Sequence, residues 1–204
     1  MTISPDEPPV LALSASAAPS GWVQRWTHLV AAGRPVLDLA SGAGRHAHWF
    51  AARGHPVVAL DRDATALESA RGERIETRVV DLEQAAWPLP PEAKFAAVVV
   101  THYLHRPLFP SILHALAPGG VLIYETFAQG NETVGKPSRP AFLLAPGELL
   151  EVVRGDLRVI AFEDGFTAAP RPAYVQRICA VRPQLQPDAA AMPAATVPRY
   201  DLAG

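Results

Sequence analysis

Apolar positions along this chain switch between a helical and an extended rhythm at roughly twenty-residue spacing. From Gly21, the residues Trp22, Val23, Trp26, Leu29 and Val30 fall on one helical face, with Ser20 placed to cap the run and Gly33 to stop it. Pro35 to Ala40 then reads as a buried strand, Arg45 to Arg53 as a helix closed by Gly54, and Pro56 to Leu60 as a second strand. Ala64 to Arg71 is the next helix and Thr77 to Val80 a third strand. Phe95 to Val100 is a fourth, whose unbroken apolar character predicts burial on both faces. A helix over Pro107 to Ala117 ends at Pro118-Gly119-Gly120, and Val121 to Phe127 follows as the fifth strand. Glu148 to Arg154 is the last helix. Leu157 to Glu163 and Tyr174 to Arg182 then read as two strands joined by a Gly/Pro-containing loop, pairing antiparallel at a sheet edge.

Strands alternating with helices, joined by crossovers long enough for parallel pairing, predict a doubly wound α/β sheet over residues 21–182. Residues 1–20, rich in Pro, Ser and Ala, read as a flexible lead-in, and 183–204, with its prolines and alanine run, as a disordered tail. The polar stretch from Ala128 to Pro140 is too long for a minimal crossover. Gly130-Asn131-Glu132 with Lys136, Pro137 and Arg139 makes it a lid candidate.

Composition narrows the partners. With 204 residues, 49% of them hydrophobic, there is enough chain for one domain around a single large core. A net charge of −2 supplies no basic field for nucleic acid or an anionic membrane, and no run is apolar enough to span one. The lone Cys179 sits in an apolar strand, reads as a core residue, and suits a reducing cytosol. The first nine residues lack Lys and Arg, so no secretory signal is expected and a cytoplasmic location is.

The chemistry starts at Val36-Leu37-Asp38-Leu39-Ala40-Ser41-Gly42-Ala43-Gly44-Arg45, where a strand bearing one carboxylate runs into a glycine turn and a helix. Gly42 and Gly44 permit positive φ and close approach of a ligand to backbone N–H groups. The glycines alone also satisfy the relaxed dinucleotide fingerprint, which keeps a nicotinamide-dependent oxidoreductase as a rival. Asp38 separates the two readings: it repels a diphosphate and attracts the ammonium and sulfonium of S-adenosylmethionine. Asp61 closes the second strand and Asp81-Leu82 the third, both at carboxyl ends where open α/β sheets bind ligands. Asp61 is placed to accept from ribose hydroxyls, Asp81 from an adenine amine, and the Leu82 N–H to serve a ring nitrogen. The alternative is that Asp61 and Asp81 merely cap the following helices. Ala40, Arg62 and Thr101 complete the expected donor set.

With those residues in view, the chain resembles the class I S-adenosylmethionine-dependent methyltransferases over most of Trp22 to Arg182. The likeness rests on the Asp38 to Gly44 motif, Asp61, Asp81-Leu82-Glu83, and Leu116-Ala117-Pro118-Gly119-Gly120-Val121-Leu122. Gly44-Arg45-His46 and Arg53-Gly54-His55, leading to Val58-Ala59-Leu60-Asp61, look most like small bacterial tellurite-resistance-type members. The resemblance implies a Rossmann-like, seven-stranded, mostly parallel sheet with the last strand antiparallel, and a cofactor across strands one to four. The commonest family motif has glycine where this chain has Ala40.

The acceptor is expected beyond strand four, at Thr101-His102-Tyr103-Leu104-His105-Arg106-Pro107. His102, Tyr103 and His105 are the candidate catalytic groups there. Arg106 is placed to hold an acceptor's carboxylate, and Tyr124 and Glu125 are expected to end strand five facing the same cleft. The Asn/Asp-Pro-Pro-aromatic motif of nucleic-acid base methyltransferases is missing, which points to a small-molecule acceptor. Arg45, His46 and His48 are not read as a metal site, since adjacent and i+2 positions face different sides of a helix. A monomer or homodimer is expected. A non-catalytic sensor of S-adenosylmethionine, or a partner subunit, is the second reading, because no catalytic base is assured.

Overall fold

The computed structural model describes residues 18–184 and 198–202. The sequence-stretch expectations of a flexible lead-in over 1–20 and a disordered tail over 183–204 fall mostly on residues outside that range. Within it, Pro19 and Ser20 lead into the first helix. Residues 198–202 lie against the body, Tyr200 packing beside Arg158 and the Asp201 carbonyl meeting the His28 ring at 3.0 Å.

Among the described residues, five α-helices and seven strands follow the predicted order. They are α1 (Gly21–Trp26), β1 (Val36–Leu39), α2 (Arg45–Ala51), β2 (Val57–Asp61), α3 (Ala64–Ala70) and β3 (Ile75–Val79), then β4 (Phe95–Thr101), α4 (Phe109–Ala115), β5 (Leu116–Phe127), α5 (Glu148–Val153), β6 (Arg158–Thr167) and β7 (Ala173–Val181). The strand order is β3-β2-β1-β4-β5-β7-β6, with β7 antiparallel to both neighbours and the remaining pairings parallel. The last strand is therefore inserted between β5 and β6 rather than added outside. Ser20 caps α1 by accepting from the Trp22 N–H. The helix is shorter than its apolar spacing predicts, because Thr27–Leu29 tightens into a 3₁₀ turn.

Period-two alternation along buried strands builds two cores, one on each sheet face. Leu37, Leu39, Val98, Val100, Leu122, Tyr124 and Ile178 pack under α4 and α5. Val36, Ala97, Val99, Val121, Ile123 and Cys179 pack under α1, α2 and α3, against Trp22, Trp26, Phe50 and Leu67. β4 is buried at every position, as its unbroken apolar run requires.

This alternation also sorts the polar positions. Asp38, Thr101, Glu125 and Arg177 share parity with Val36, Val99, Ile123 and Cys179, so they emerge on the α1–α3 face near the carboxyl ends. Reversal of strand order between β1 and β4 places a crevice at that same end.

Candidate active site

The glycine turn after β1 is held by the neighbouring strand. Asp61, at the end of β2, accepts the Gly42 N–H at 2.7 Å through one oxygen and the Asp63 N–H at 2.9 Å through the other. Helix α3 is capped by Asp63, whose Oδ1 accepts from Thr65 and Ala66. Asp61 is thus not the cap, and its carboxylate ties the turn while retaining further lone pairs. Asp81 accepts the Glu83 N–H at 2.9 Å in a local turn, and Leu82 is buried in the α4–α5 core. Arg62 is exposed beside them.

The two glycines differ in what they do. Gly42 has φ 53, and a Cβ there would meet nothing within 4 Å, so its open side is free to face a ligand. Gly44 has φ 78, and a Cβ there would lie 2.5 Å from the Ala70 Cβ and 2.8 Å from its Cα. It permits α2 to start against α3, a packing reason for glycine at this place that stands beside its expected ligand contact. Ala40 takes φ 52, a left-handed conformation that costs an L-residue about 1 kcal/mol or more and explains why glycine suits this place.

Asp38 is the central electrostatic fact. The residue is 1% exposed and neither carboxylate oxygen has a hydrogen-bond partner; the nearby Ser41 hydroxyl, also buried, has none either. Burial pushes the Asp38 pKa up to about 7. The Ala47 amide, outside bonding geometry, and the Arg45 charge oppose the rise, and Asp61 adds to it. A buried carboxylate without partners is costly, and a cation placed beside it would relieve that cost.

Beyond the ends of β4 and β5, where the sequence leads one to expect the acceptor, side chains distant in sequence meet. The Ser20 hydroxyl donates to Glu125 Oε1 at 2.9 Å, and the Ser20 N–H donates to His46 Nε2 at 3.2 Å. Glu125 also forms an ion pair with Arg177, which reaches Glu163 at 3.1 Å. Burial and the charge of Arg45 lower the His46 pKa to about 3, so its ring accepts as neutral imidazole. His48 faces elsewhere, with Nε2 on the Ser69 carbonyl at 2.9 Å. His102 follows Thr101 in a left-handed conformation, φ 53, donates its N–H to the Glu125 carbonyl and stacks on Phe127 at 5.2 Å. Its ring is reached by solvent. The crowding protein and the charges of Arg45, Arg171 and Arg177 nevertheless hold its pKa down, to about 4.

Several sequence expectations change here. Tyr124 and Glu125 do not share a cleft, because consecutive strand residues point to opposite faces and β5 continues to Phe127. Tyr124 is buried under α4, its hydroxyl donating to the Tyr103 carbonyl at 2.8 Å. Arg106 does not offer a free guanidinium: it clasps Glu148 through two hydrogen bonds, of 2.7 and 2.9 Å, and donates to the Ala141 and Leu143 carbonyls. It ties the start of α4 to the segment before α5. The Tyr103 hydroxyl has no partner, and its pKa is raised by burial and by Glu83, Asp81 and Asp61, which sets it beside the donor-side acids rather than the acceptor. The His105 ring has no hydrogen bond or ion pair among the described residues. The loop from Ala128 is anchored, Asn131 donating to the Pro137 carbonyl and accepting the Tyr174 N–H.

Ser20, Arg45, His46, Phe127, Arg171 and Arg177 were missed by sequence reasoning as members of this end. Only Arg45 had a local signal, its place directly after the glycine turn. Two shallow hollows lie away from the glycine turn, one near His48 and Gly72 and one near Phe166 and Val175. Site chemistry rather than hollow size identifies the functional end.

Residues 36–120 match the methyltransferase domain family. A curated relative, trans-aconitate 2-methyltransferase of Paracidovorax citrulli, is 33% identical over 118 residues, covering 54% of this chain and 45% of that protein. The chain thus spans about half the length of that relative. TehB from Haemophilus influenzae superposes with a TM-score of 0.62 at 17% identity, over 73% of this chain and 57% of that one. A TehB-like S-adenosylmethionine-dependent methyltransferase from Corynebacterium glutamicum gives 0.60 at 19%, over 82% and 90%. Residues 36–120, running from β1 into β5, thus carry the methyltransferase-domain match, and the seven-stranded sheet around them has the fold of those solved methyltransferase structures.

Proposed function

We propose that the chain binds S-adenosylmethionine at the carboxyl ends of β1–β4 and transfers its methyl group to a small-molecule acceptor by direct displacement. The observation that carries this reading is Asp38: two buried, unpartnered carboxylate oxygens beside a glycine whose open side can receive a ligand. A cation completes such a site, whereas a diphosphate would be repelled by it.

In this reading Asp38 and Arg45 serve the ammonium and carboxylate of the donor's amino-acid end, Gly42 lies along it, and Asp61 takes the ribose hydroxyls. Asp81 and the Leu82 N–H serve the adenine, with Ala40, Arg62 and Thr101 around them. When bound, the sulfonium supplies an activated methyl carbon. The protein's work is then to align an acceptor with that carbon and to keep water away. The curated relative is a trans-aconitate 2-methyltransferase, which favours a small acid over a macromolecule as the acceptor. A cytoplasmic location and a monomer or homodimer remain the expectation; no helix among the described residues is long and apolar enough to cross a membrane.

Calorimetric titration with S-adenosylhomocysteine tests the donor site. Asp61→Ala should weaken binding at least about ten-fold, a change of about 1.4 kcal/mol, while Asp61→Asn, which keeps an acceptor for Gly42, should lose less. Unchanged affinity in Asp61→Ala would remove Asp61 from the site. Binding of NAD with no response to S-adenosylhomocysteine would replace this reading with a nicotinamide enzyme. Donor binding without turnover would leave a sensor or partner subunit.

A further inference from the structure

The acceptor side carries more positive charge than its own carboxylates neutralise. Glu125 is held by Ser20 and Arg177, Glu163 by Arg177 and Arg25, and Asp164 accepts from Gly147 and Gln176. Two guanidiniums remain. Arg45 makes one hydrogen bond, to the Ala18 carbonyl at 3.4 Å, and no ion pair among the described residues. Arg171 makes neither a hydrogen bond nor an ion pair among them. Under the donor reading above, Arg45 is taken by the amino-acid end of the cofactor, since it sits beside Asp38. Arg171 is left for something else.

Sheet register fixes where Arg171 stands. Phe127, the last residue of β5, pairs with Val175 of β7, so the turn from 168 to 172 lies off the carboxyl ends of β4 and β5. His102 emerges from β4 at that end and stacks on Phe127, and the charge of Arg171 reaches its ring. Pro170 and Pro172 flank Arg171, fix φ on both sides and stiffen the turn that presents it. An exposed arginine on a loop is ordinarily a solvated residue. This one stands on a constrained turn beside the exposed ring of His102, which stacks on the buried Phe127 and has a strained backbone, where strain is seldom kept without use.

We propose that Arg171 binds the anionic group of the acceptor, with the exposed His102 ring, backed by the buried Phe127, against its organic body, and that the acceptor is a small carboxylic acid methylated on a carboxylate oxygen. A guanidinium presents paired donors matched to a carboxylate, and an aromatic ring favours an organic acid over an inorganic oxyanion. The balance is simple. The sulfur–methyl bond breaks as an oxygen–carbon bond forms, the sulfonium becomes a neutral thioether, the carboxylate becomes a neutral ester, and no proton moves. No general base is needed, consistent with an end where Glu125 is doubly engaged and Tyr103 faces the donor side. The proposal rests on the donor reading and goes further by fixing the acceptor class and the residue that selects it.

The test uses the full chain with a panel of acetate, succinate, benzoate and trans-aconitate, each beside its amide, with selenite as the inorganic oxyanion and a simple thiol and amine as other acceptors. The expected result is methylation of one or more acids, with a product that releases methanol in mild base, and no methylation of the amides. Arg171→Gln should raise KM for the acid about ten-fold or more, with kcat within about three-fold and S-adenosylhomocysteine affinity unchanged; Arg171→Lys should recover part of the loss. Preference for the thiol, amine or selenite overturns the proposal. So does an unchanged KM in Arg171→Gln, or failure of every acid in a protein that binds S-adenosylhomocysteine normally. If the parent protein does not bind S-adenosylhomocysteine, the donor reading fails instead.

Discussion

The two halves of the sheet's carboxyl end are built in different ways. On the half proposed to hold the donor, each hydrogen-bonding carboxylate is close in sequence, or on the adjacent strand, to the backbone it serves. Asp61 accepts from Asp63, Asp81 from Glu83, and the longest reach is from Asp61 to Gly42 on the adjacent strand. On the acceptor half, the contacts join residues far apart: Ser20 to Glu125, Ser20 to His46, Glu125 to Arg177, and Arg106 to Glu148. The first half is a set of short turns whose residue types are dictated by local geometry. The second is an assembly that exists only after the sheet has closed, and its side chains are free to vary with the acceptor.

The largest effect that would break this contrast lies in the glycine turn. Gly44→Ala places a Cβ 2.5 Å from the Ala70 Cβ in a left-handed backbone, so it should destabilise the fold by roughly 3 kcal/mol or more. Gly42→Ala, with open space around its Cβ, should cost only about 1 kcal/mol of stability yet weaken S-adenosylhomocysteine binding. Urea denaturation and calorimetry on the two variants separate packing from ligand contact; equal stability losses would erase the distinction.

A smaller effect sharpens the electrostatics. Folded Asp38, its pKa raised to about 7 from 3.8, keeps a proton that the unfolded chain gives up, so its contribution makes ligand-free stability fall as pH rises from about 4 to about 7. His46 and His102, held near 3 and 4, act oppositely: their contribution is full above about 6.5 and lost as pH falls through that window. Comparison with Asp38→Asn isolates the contribution of Asp38. Relative to its value near pH 4, the stability of the variant should gain on that of the parent by about 4 kcal/mol above pH 7, and the variant should bind S-adenosylhomocysteine at least about ten-fold more weakly. Thermal unfolding across that range measures it, and a parallel pair of profiles would count against Asp38 as the titrating group.

Smallest is the effect of the Arg106 clasp. The pair is partly solvated, so Arg106→Ala should cost only about 1 kcal/mol, from the Glu148 ion pair and two carbonyl contacts together. Limited proteolysis should become faster near residues 139–148, with donor affinity unchanged. A donor affinity that fell alongside would show that the two halves are not independent.

What could be read without coordinates follows the same division. Strand and helix rhythm gave the doubly wound sheet, because a strand buried on both faces has to be apolar along its length, as Phe95 to Val100 is. The three carboxylates at this end of the sheet were legible because motif and strand end coincide at Asp38, Asp61 and Asp81; that they hold the donor is the proposal made above. Arg106 was misread because a residue type compatible with ligand binding was equally compatible with a contact far away in sequence, here Glu148. Tyr124 and Glu125 were misjudged although the strand was read to Phe127, because neighbouring residues of a strand face opposite sides and only one of the two can face the cleft.

By itself, then, the order of residues settled the class of fold, the glycine turn and the row of strand-end carboxylates, all of which depend on periodicity or on neighbours a few positions apart. Tertiary structure decided which glycine packs and which stays open, that Asp38 is left buried without a partner, and that Arg171 is brought to the end of the sheet beside His102. Those outcomes depend on distances between segments dozens of residues apart, which are fixed only when strand order and register bring the segments together.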